Sequence, residues 1–379
     1  MKRLAWGVTF GMLAAASGSA HAQSSVTLFG VLDEGINLTS NANGSKAWQT
    51  SSVDLVTSRW GLKGSEDLGG GVHAIFDLES GVMLDNGKAY YGGREFGYQS
   101  YVGLESATLG TVTLGRQFDT VTDTIGLMTA NGNWGGFLFS HPVDNDNTDA
   151  SFHANNSVKY LSPEFHGLSV TGLYGFGNQP GFAGNRIYAA GIKYHYATLS
   201  LAAVYEDLSS PGTTAGGAIA SDDYGFVAAN EKIYGVAGSY GIGQAVISTT
   251  WTHVALQRPT SSIYVDSLGP NNDGLNFDNF EANIKYNLTP ALFVAGMYTY
   301  TMAHLSQGGA AASLHWNQLG AMAQYSLSAR TALYAQAVYQ KVNGGPAGFA
   351  LDNAYVPGSA GVSSNSHQIV ARVGLTHSF

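Results

Sequence analysis

Cysteine is absent from the 379 residues of this chain, and that absence excludes several classes of protein at once. Disulfide-stapled scaffolds, iron–sulfur proteins, thiolate zinc sites and thiol enzymes all depend on cysteine side chains. Charged residues are also scarce, at 11% of the chain, against roughly 25% in typical soluble domains. The formal net charge of −9 disfavours a partner bound through basic patches, so no nucleic-acid partner is predicted.

Long apolar runs are missing as well, because no stretch after residue 22 approaches the ~18 apolar residues of a transmembrane helix. Residues 1–22 instead have the parts of a secretory signal peptide. Lys2 and Arg3 form a positive start, residues 4–16 are short and mostly apolar, and residues 20–22 form a small-x-small cleavage site. An N-terminal membrane anchor is the alternative, but this apolar segment is too short to cross a ~30 Å bilayer core.

The predicted domain organisation is therefore a cleaved signal peptide, residues 1–22, followed by a single exported domain, residues 23–379. Removing Lys2 and Arg3 lowers the number of basic residues from 17 to 15, against 26 acidic residues, which is a net charge of −11. An exported chain without an apolar helix can still enter a membrane as a closed β-barrel, since a closed barrel satisfies every backbone group in lipid.

Alternation of period two runs through the whole chain and predicts β-strands rather than helices. At the C-terminal end, Ile369, Val373 and Leu375 share one face, and Gln368 and Arg372 share the other. Sixteen such segments are predicted, near residues 25–39, 53–66, 70–83, 95–106, 110–118, 154–163, 167–176, 186–196, 198–207, 230–241, 243–256, 277–288, 291–304, 312–326, 329–342 and 366–379.

The connections between these segments alternate in length. Short turns are predicted near residues 67–70, 107–109, 163–166, 197, 242, 289–290 and 328. Long loops are predicted at residues 40–52, 84–94, 119–153, 177–185, 208–229, 257–276, 305–311 and 343–365. An even strand number, with short periplasmic turns on one rim and long extracellular loops on the other, predicts an all-β, sixteen-stranded antiparallel transmembrane β-barrel.

The polar faces of the strands separate this barrel from a soluble β-sandwich, which is the alternative fold. In a β-sandwich the polar face of each sheet is exposed to water and carries surface charges. The polar faces here are mostly Gly, Ser, Thr, Asn, Gln and Tyr. Aromatic residues near strand ends are typical of interfacial girdles, and the candidates are Tyr98, Tyr101, Tyr194, Tyr196, Tyr298, Tyr300 and Tyr339. Sixteen strands are enough to enclose a water-filled channel.

Several stretches carry a resemblance to a known family. They are residues 25–33 (SVTLFGVLD), 58–71 (SRWGLKGSEDLGGG), 74–81 (AIFDLESG), 101–104 (YVGL), 110–117 (GTVTLGRQ), 156–163 (NSVKYLSP) and 375–379 (LTHSF). In this order the chain resembles the general (non-specific) porins of Gram-negative outer membranes, especially the β-proteobacterial branch. The resemblance covers the whole chain after residue 22.

The resemblance implies a diffusion channel in the outer membrane that passes small hydrophilic solutes and ions, without a cofactor and without enzymatic activity. It implies a homotrimer surrounded by membrane lipid and lipopolysaccharide. It also implies that the last strand closes the barrel against the first, and that the terminal Phe379 is read by the barrel-assembly machinery during insertion. Selectivity in such a channel comes from pore width and from fixed charges at the narrowest point.

The longest predicted loop, residues 119–153, corresponds to the family's third loop, which folds into the lumen and forms the constriction. It contains no Lys or Arg and five aspartates, which are Asp119, Asp123, Asp144, Asp146 and Asp149. The alternative is an ordinary solvated acidic loop, since connecting segments lie on the surface by default.

Opposite that loop, the resemblance implies a ladder of basic residues on the barrel wall. Arg59 and Arg116 match family positions, and Lys63 lies four residues beyond Arg59, hence on the same strand face. Tyr98 and His153 stand where relatives often have arginine, so this ladder has fewer basic residues than is usual in the family.

Three acidic residues, Asp33, Asp77 and Glu79, are predicted on the same polar faces as the ladder. For each wall charge, a solvated position on the rim is the alternative. The acidic excess predicts a modest preference for cations. Acidification is expected to weaken it by protonating His153, since the ordinary pKa of histidine is about 6.5.

Catalytic and cofactor motifs are missing from the sequence. Dinucleotide and phosphate-binding loops, His-Glu-x-x-His and Gly-x-Ser-x-Gly do not occur, so no catalytic, metal or cofactor residue is predicted. Two other functions stay open: an outer-membrane barrel enzyme such as a lipase or protease, and a substrate-specific channel or adhesin. The enzyme would need a group of Ser and His residues, or of acidic residues, on the outer rim. A sugar-specific channel would need a row of aromatic residues along the pore (an aromatic slide) and more strands.

Overall fold

The computed structural model describes residues 25–223, 225–346 and 348–379. Their main sheet is antiparallel and closed on itself, and a separate two-stranded sheet pairs Phe226–Val227 with Ser261–Ser262. The strands are β1 (Ser25–Ala42), β2 (Ser45–Ser51 and Arg59–Asp67), β3 (Val72–Gly81), β4 (Gln99–Ser106), β5 (Gly110–Gln117), β6 (Ala154–Leu161), β7 (Leu168–Gly175), β8 (Arg186–Tyr196), β9 (Leu199–Ser209), β10 (Asn230–Ile242), β11 (Ala245–Gln257), β12 (Asn272–Thr289), β13 (Leu292–Gln307), β14 (Ala310–Ser326), β15 (Thr331–Gly344) and β16 (His367–Ser378). The predicted signal peptide lies outside the described residues and stays a prediction.

The sixteen-stranded antiparallel barrel is confirmed. Every strand pairs with its neighbours in the chain, and β1 also pairs with β16, from Val31 opposite Ser378 to Thr39 opposite Val370. The two parts of β2 count as one strand, because they pair with successive halves of β1 on either side of the irregular residues 52–58. The ladder thus has no free edge, which is the condition for β-structure in a bilayer.

Among the described residues, helical structure is short and lies in one connection. Helix α1 (Thr120–Thr124) is followed by single turns at Gly126–Met128, Asn131–Gly135, Phe137–Phe139 and Pro142–Asp144. Within the described part of the chain, no helix has the length and apolarity needed to cross a membrane.

The period-two alternation predicts the two faces of the barrel correctly. On β16, Val373 is 59% exposed on the outer face, whereas Arg372 beside it is 1% exposed on the inner face. On β12, Phe280 and Ile284 face outward while Glu281 is buried inside. The outer surface is therefore a continuous apolar band, as lipid requires.

Two of the predicted girdle tyrosines do not face lipid, and one of them, Tyr98, was also predicted on the pore wall. Tyr194, Tyr196 and Tyr298 are exposed on the outside. Tyr101 instead lies opposite Asp77 on the inner face, and Tyr98 lines an internal cavity. Inside the barrel, the Tyr98 ring lies beside the Arg59 guanidinium, and Tyr101 shares a small pocket with Lys63 and Asp77.

Two of the predicted long loops are two-residue turns. Asn43 and Gly44 join β1 to β2 with φ of 52° and 94°, and Gly308 and Gly309 join β13 to β14 with φ of 56° and 84°. Asn-Gly and Gly-Gly are the dipeptides that accept two successive positive φ angles in a hairpin turn. Residues 52–58, predicted to begin the second strand, leave the ladder instead.

The segment between β5 and β6, residues 118–153, lies inside the barrel. Val121 and Ile125 pack against the inner faces of β7–β12, and Trp134, Leu138 and Phe139 pack against those of β13–β16. Wall side chains also bind its backbone, at 2.9 Å from Gln318 Nε2 to the Ser140 carbonyl and 2.6 Å from Gln336 Nε2 to the Gly135 carbonyl. The hydrophobic core is thus inside the barrel, against the wall formed by β7–β16.

Candidate pore constriction

A cavity of about 650 Å³ remains beside the inward-folded segment. It is enclosed by residues 118–153, the irregular residues 53–57, the loop between β3 and β4, and the loops that follow β9, β11 and β15. Four aspartates line it, Asp123, Asp149, Asp222 and Asp223, and none of the described lining residues is Lys or Arg. Asp222 and Asp223, in the loop between β9 and β10, were missed because the sequence places them far from residues 118–153.

Three of the predicted constriction aspartates are buried instead of facing open space. Asp119 caps α1, accepting from the Thr122 amide at 2.7 Å, and it also binds Asn147. Asp144 accepts from the Ser151 hydroxyl at 2.7 Å and from the Asp149 amide at 3.2 Å. These carboxylates order the segment, because they satisfy backbone and side-chain donors that its tight folding removes from water.

Asp146, the third of them, binds a histidine that the sequence analysis missed. His141 Nδ1 lies 2.7 Å from Asp146, and its Nε2 lies 3.2 Å from Glu281 of β12. Burial alone would lower the pKa of His141, but the two carboxylates outweigh it and raise that pKa to about 10. The segment, which has no Lys or Arg, therefore carries a buried imidazolium at His141.

Asp123 and Asp149 are the two predicted aspartates that reach the cavity. The Asp123 carboxylate is 36% exposed and pairs with Lys159 Nζ of β6 at 2.5 Å. Asp149 accepts from the Asn131 side chain at 3.3 Å. Burial raises the pKa of Asp149 to about 7, so this carboxyl titrates near neutrality.

The predicted wall cations lie on inner faces but are paired. Arg59 Nε is 2.5 Å from Glu79, with its guanidinium 4.3 Å from the centre of the Tyr98 ring. Arg116 is buried and lies 2.5 Å from Asp223. Their positive charges are therefore largely neutralised by partners at close range.

Lys63 lies apart from this group. Its Nζ is 4.8 Å from the centre of the Phe29 ring, and it shares a smaller pocket with Asp77 and Tyr101. Asp77 is half-buried and pairs in register with Lys63 across β2 and β3. The structure does not bring these two charges to the larger cavity.

The expectation that His153 adds positive charge on acidification is wrong. His153 is completely buried against the rings of Tyr91, Tyr98 and Phe118, with centroid distances of 4.8, 5.8 and 4.9 Å. Neither ring nitrogen has a hydrogen-bond partner among the described residues. Burial, followed by the charge of Arg116, lowers the pKa of His153 well below its usual value.

Asp33 belongs to a buried network at the seam between β1 and β16, not to the cavity. Arg372 of β16 lies 2.9 Å from both Asp33 and Asp54, and it donates to the Asn37 side chain and the Tyr334 hydroxyl, each at 2.8 Å. The sequence placed Arg372 on the polar face but did not indicate its partners, of which Asp33, Asn37 and Asp54 are more than 300 residues away along the chain.

Phe379 directly follows β16 and lies at the C-terminal end of the same seam between β1 and β16. Its amide donates to the Gly30 carbonyl at 3.0 Å, and its carbonyl accepts from the Gly30 amide at 3.1 Å. The Phe379 ring covers Gly30, where a larger residue would collide with it. The predicted closure of the last strand against the first is therefore present at the final residue.

Comparison with known proteins agrees with this geometry. The Gram-negative porin profile matches residues 9–345. The chain is 28% identical over 370 residues to an outer membrane porin protein of Bordetella pertussis, covering 87% of this chain and 92% of that protein. It is 38% identical over 168 residues to outer membrane porin protein 32 of Delftia acidovorans, covering 43% and 47% of the two chains.

Among solved structures, an anion-selective porin from Comamonas acidovorans superposes with a TM-score of 0.70 at 23% identity, covering 94% of this chain and all of that one. The trimer form of OmpT from Vibrio cholerae gives a TM-score of 0.64 at 16% identity, covering 94% and 99%. These two likenesses concern the fold. Together with the profile match, they show that the chain belongs to the Gram-negative porin family and is a protein of the outer membrane.

Proposed function

We propose that this chain forms a water-filled channel for passive diffusion of small hydrophilic solutes and ions, with a modest preference for cations. The observation that carries the preference is the lining of the cavity, which has four aspartates and, among its described residues, no Lys or Arg. Porins are channels rather than enzymes, so the residues at the constriction act through width and charge.

Ion pairing does not remove the negative potential, because in the pairs of Asp123 and Asp222 the carboxylate is more exposed than its cation. The cationic partners of Asp123, Asp222 and Asp223 are Lys159, Arg94 and Arg116. None of these three cations lines the cavity, whereas all three aspartates do. A passing cation therefore meets the carboxylates at shorter range than the basic groups, and Coulomb energy falls with distance.

Replacing Asp123 with asparagine is expected to reduce the preference for cations. The change removes a lining carboxylate and leaves Lys159 without its partner carboxylate. Both effects make the electrostatic potential in the cavity less negative, which favours anions. We expect the cation-to-anion permeability ratio to fall by about twofold to fivefold, since one charge at about 4 Å is worth about 1 kcal/mol in water. The measurement is the reversal potential of single channels in a planar bilayer under a dilute KCl gradient.

Asp266→Asn is the matched control, because Asp266 is exposed in the loop between β11 and β12 and does not line the cavity. The preference should fade for all variants in 1 M salt, where the Debye length is about 3 Å. Anion preference of the unmodified channel at low salt would refute the proposal.

The preference is also expected to weaken between about pH 8 and pH 6 as Asp149 takes up a proton. Its raised pKa, about 7, means that acidification neutralises a lining carboxylate in this range and lowers the attraction for cations. Reversal potentials measured across this interval should therefore change in the unmodified channel and stay flat in Asp149→Asn. His153→Phe should keep the pH dependence, and its loss in that variant would assign the titration to His153 instead.

The homotrimer is also a proposal, supported by the trimer form described for the Vibrio cholerae neighbour. Contacts with lipid and lipopolysaccharide, and delivery by the barrel-assembly machinery, are proposed from the family resemblance. Chemical cross-linking in mild detergent should yield a band at three times the monomer mass. Monomers alone under these conditions would refute the trimer.

A further inference from the structure

Four separate loops each place at least one aromatic ring on the wall of the same cavity. Tyr90 follows β3, Phe137 belongs to the inward-folded segment, Tyr264 lies between β11 and β12, and Tyr355 lies between β15 and β16. The ring centroids of Tyr264 and Tyr355 are 5.9 Å apart, and those of Phe137 and Tyr264 are 6.4 Å apart. All four rings are partly exposed and present surface to the cavity, and Tyr264 and Tyr355 also pack against the hydrophobic core.

A carboxylate lies among these rings. Asp149 lines the cavity with them, and its neighbour in the segment, Ser151, holds the Tyr264 hydroxyl at 2.5 Å. Burial and, after it, the charge of Asp149 raise the pKa of Tyr90. Asp149 also contributes, after burial and Asp144, to the raised pKa of Tyr264. The negative charge of Asp149 therefore acts on rings from two different loops.

Aromatic faces next to a carboxylate favour a particular kind of ligand. The face of an aromatic ring is electron-rich and attracts cations, and ammonium groups bind in cages of such rings. The chain already shows this contact nearby, because Arg59 and Arg116 lie 4.3 and 5.9 Å from the ring centres of Tyr98 and Tyr91. Among the described residues, no such arginine contact is found for Tyr90, Tyr264 or Tyr355, which instead make edge-to-face contacts, Tyr90 with Tyr91 and Tyr264 with Tyr355.

We propose that this cavity is a binding subsite for organic ammonium ions that carry an apolar or aromatic body. The ammonium group would lie beside Asp149, and the body would contact Tyr264, Tyr355 and Phe137. The volume of about 650 Å³ suits an organic solute rather than a bare metal ion. The inference rests on the proposed function, since the solute reaches the subsite through the channel.

A neutral sugar also stacks on aromatic rings, but it gains nothing from net negative charge. Charge therefore discriminates between the two ligands. Trimethylphenylammonium is the test probe, benzyl alcohol is its neutral aromatic counterpart, tetramethylammonium is a cation without a ring, and maltotriose represents sugars.

The experiment is single-channel recording in planar bilayers with each probe added to the extracellular side. We expect trimethylphenylammonium to interrupt the current at concentrations about tenfold lower than the other three probes. Tyr264→Leu and Asp149→Asn should each raise its half-blocking concentration by about fivefold to tenfold. Tyr240→Leu, at an exposed outer-face tyrosine of β10, and Asp266→Asn are the matched controls and should leave the block unchanged.

Equal block of the unmodified channel and both cavity variants would overturn the proposal, as would stronger block by maltotriose or benzyl alcohol. Should Tyr264→Leu fail to insert, Tyr355→Leu provides the same test from another loop. Reversal potentials in KCl without any probe are recorded on the same channels. Cation preference without probe block refutes the subsite alone, whereas anion preference refutes the proposed function itself.

Discussion

Replacing Arg372 with methionine is expected to destabilise the closed barrel by about 3–5 kcal/mol, the usual cost of removing one partner from a buried ion pair. Arg372 lies 2.9 Å from both Asp33 and Asp54, and all three side chains are fully buried. Without the guanidinium, two carboxylates remain close together at the seam between β1 and β16. The measurement is the thermal unfolding midpoint in detergent, followed by circular dichroism and by the heat-dependent shift in gel mobility.

Arg330→Met is the control, because Arg330 is exposed in the turn between β14 and β15. The combined variant Asp33→Asn, Asp54→Asn and Arg372→Met should recover much of the lost stability, since it removes the unpaired charges together with their partner. Equal midpoints for Arg372→Met and Arg330→Met would contradict a role of this network in closing the barrel.

Deleting Phe379 is expected to reduce the amount of barrel in the outer membrane by about tenfold or more. The deletion removes both backbone hydrogen bonds to Gly30, each worth about 1 kcal/mol, together with the ring that covers that glycine. It also removes the terminal aromatic that, by family resemblance, the assembly machinery reads. The measurement is the yield of heat-modifiable protein in outer-membrane fractions.

Phe182→Ser is the control for this deletion, because Phe182 is 70% exposed in the loop between β7 and β8. Phe349 also lies in a predicted loop, but it is 8% exposed within the core cluster and is unsuitable. Folding of purified chains into detergent separates the two causes. Near-normal folding in detergent, with loss in cells, assigns the effect to the machinery, and similar yields in cells for both variants would refute the role of Phe379.

The strands and their faces could be predicted from the sequence because the information is local. Side chains of a strand alternate between faces, so apolar and polar residues at period two identify the side that meets lipid. This reasoning placed Ile369, Val373 and Leu375 outside and Arg372 inside, as observed. The errors in the predicted connections also concern neighbouring residues. Asn43-Gly44 and Gly308-Gly309 were predicted to lie in long loops, although both dipeptides favour tight hairpin turns.

Which charges face the passage was decided by the tertiary structure alone. Asp123, Asp144 and Asp146 belong to one acidic segment in the sequence, yet the first lines the cavity and the other two are buried. The partners that make this difference lie far away along the chain, such as Glu281 for His141 and Asp223 for Arg116. A carboxylate contributes to the potential of a channel according to its exposure and its nearest counter-charge, and both are set by contacts that a strand pattern does not encode.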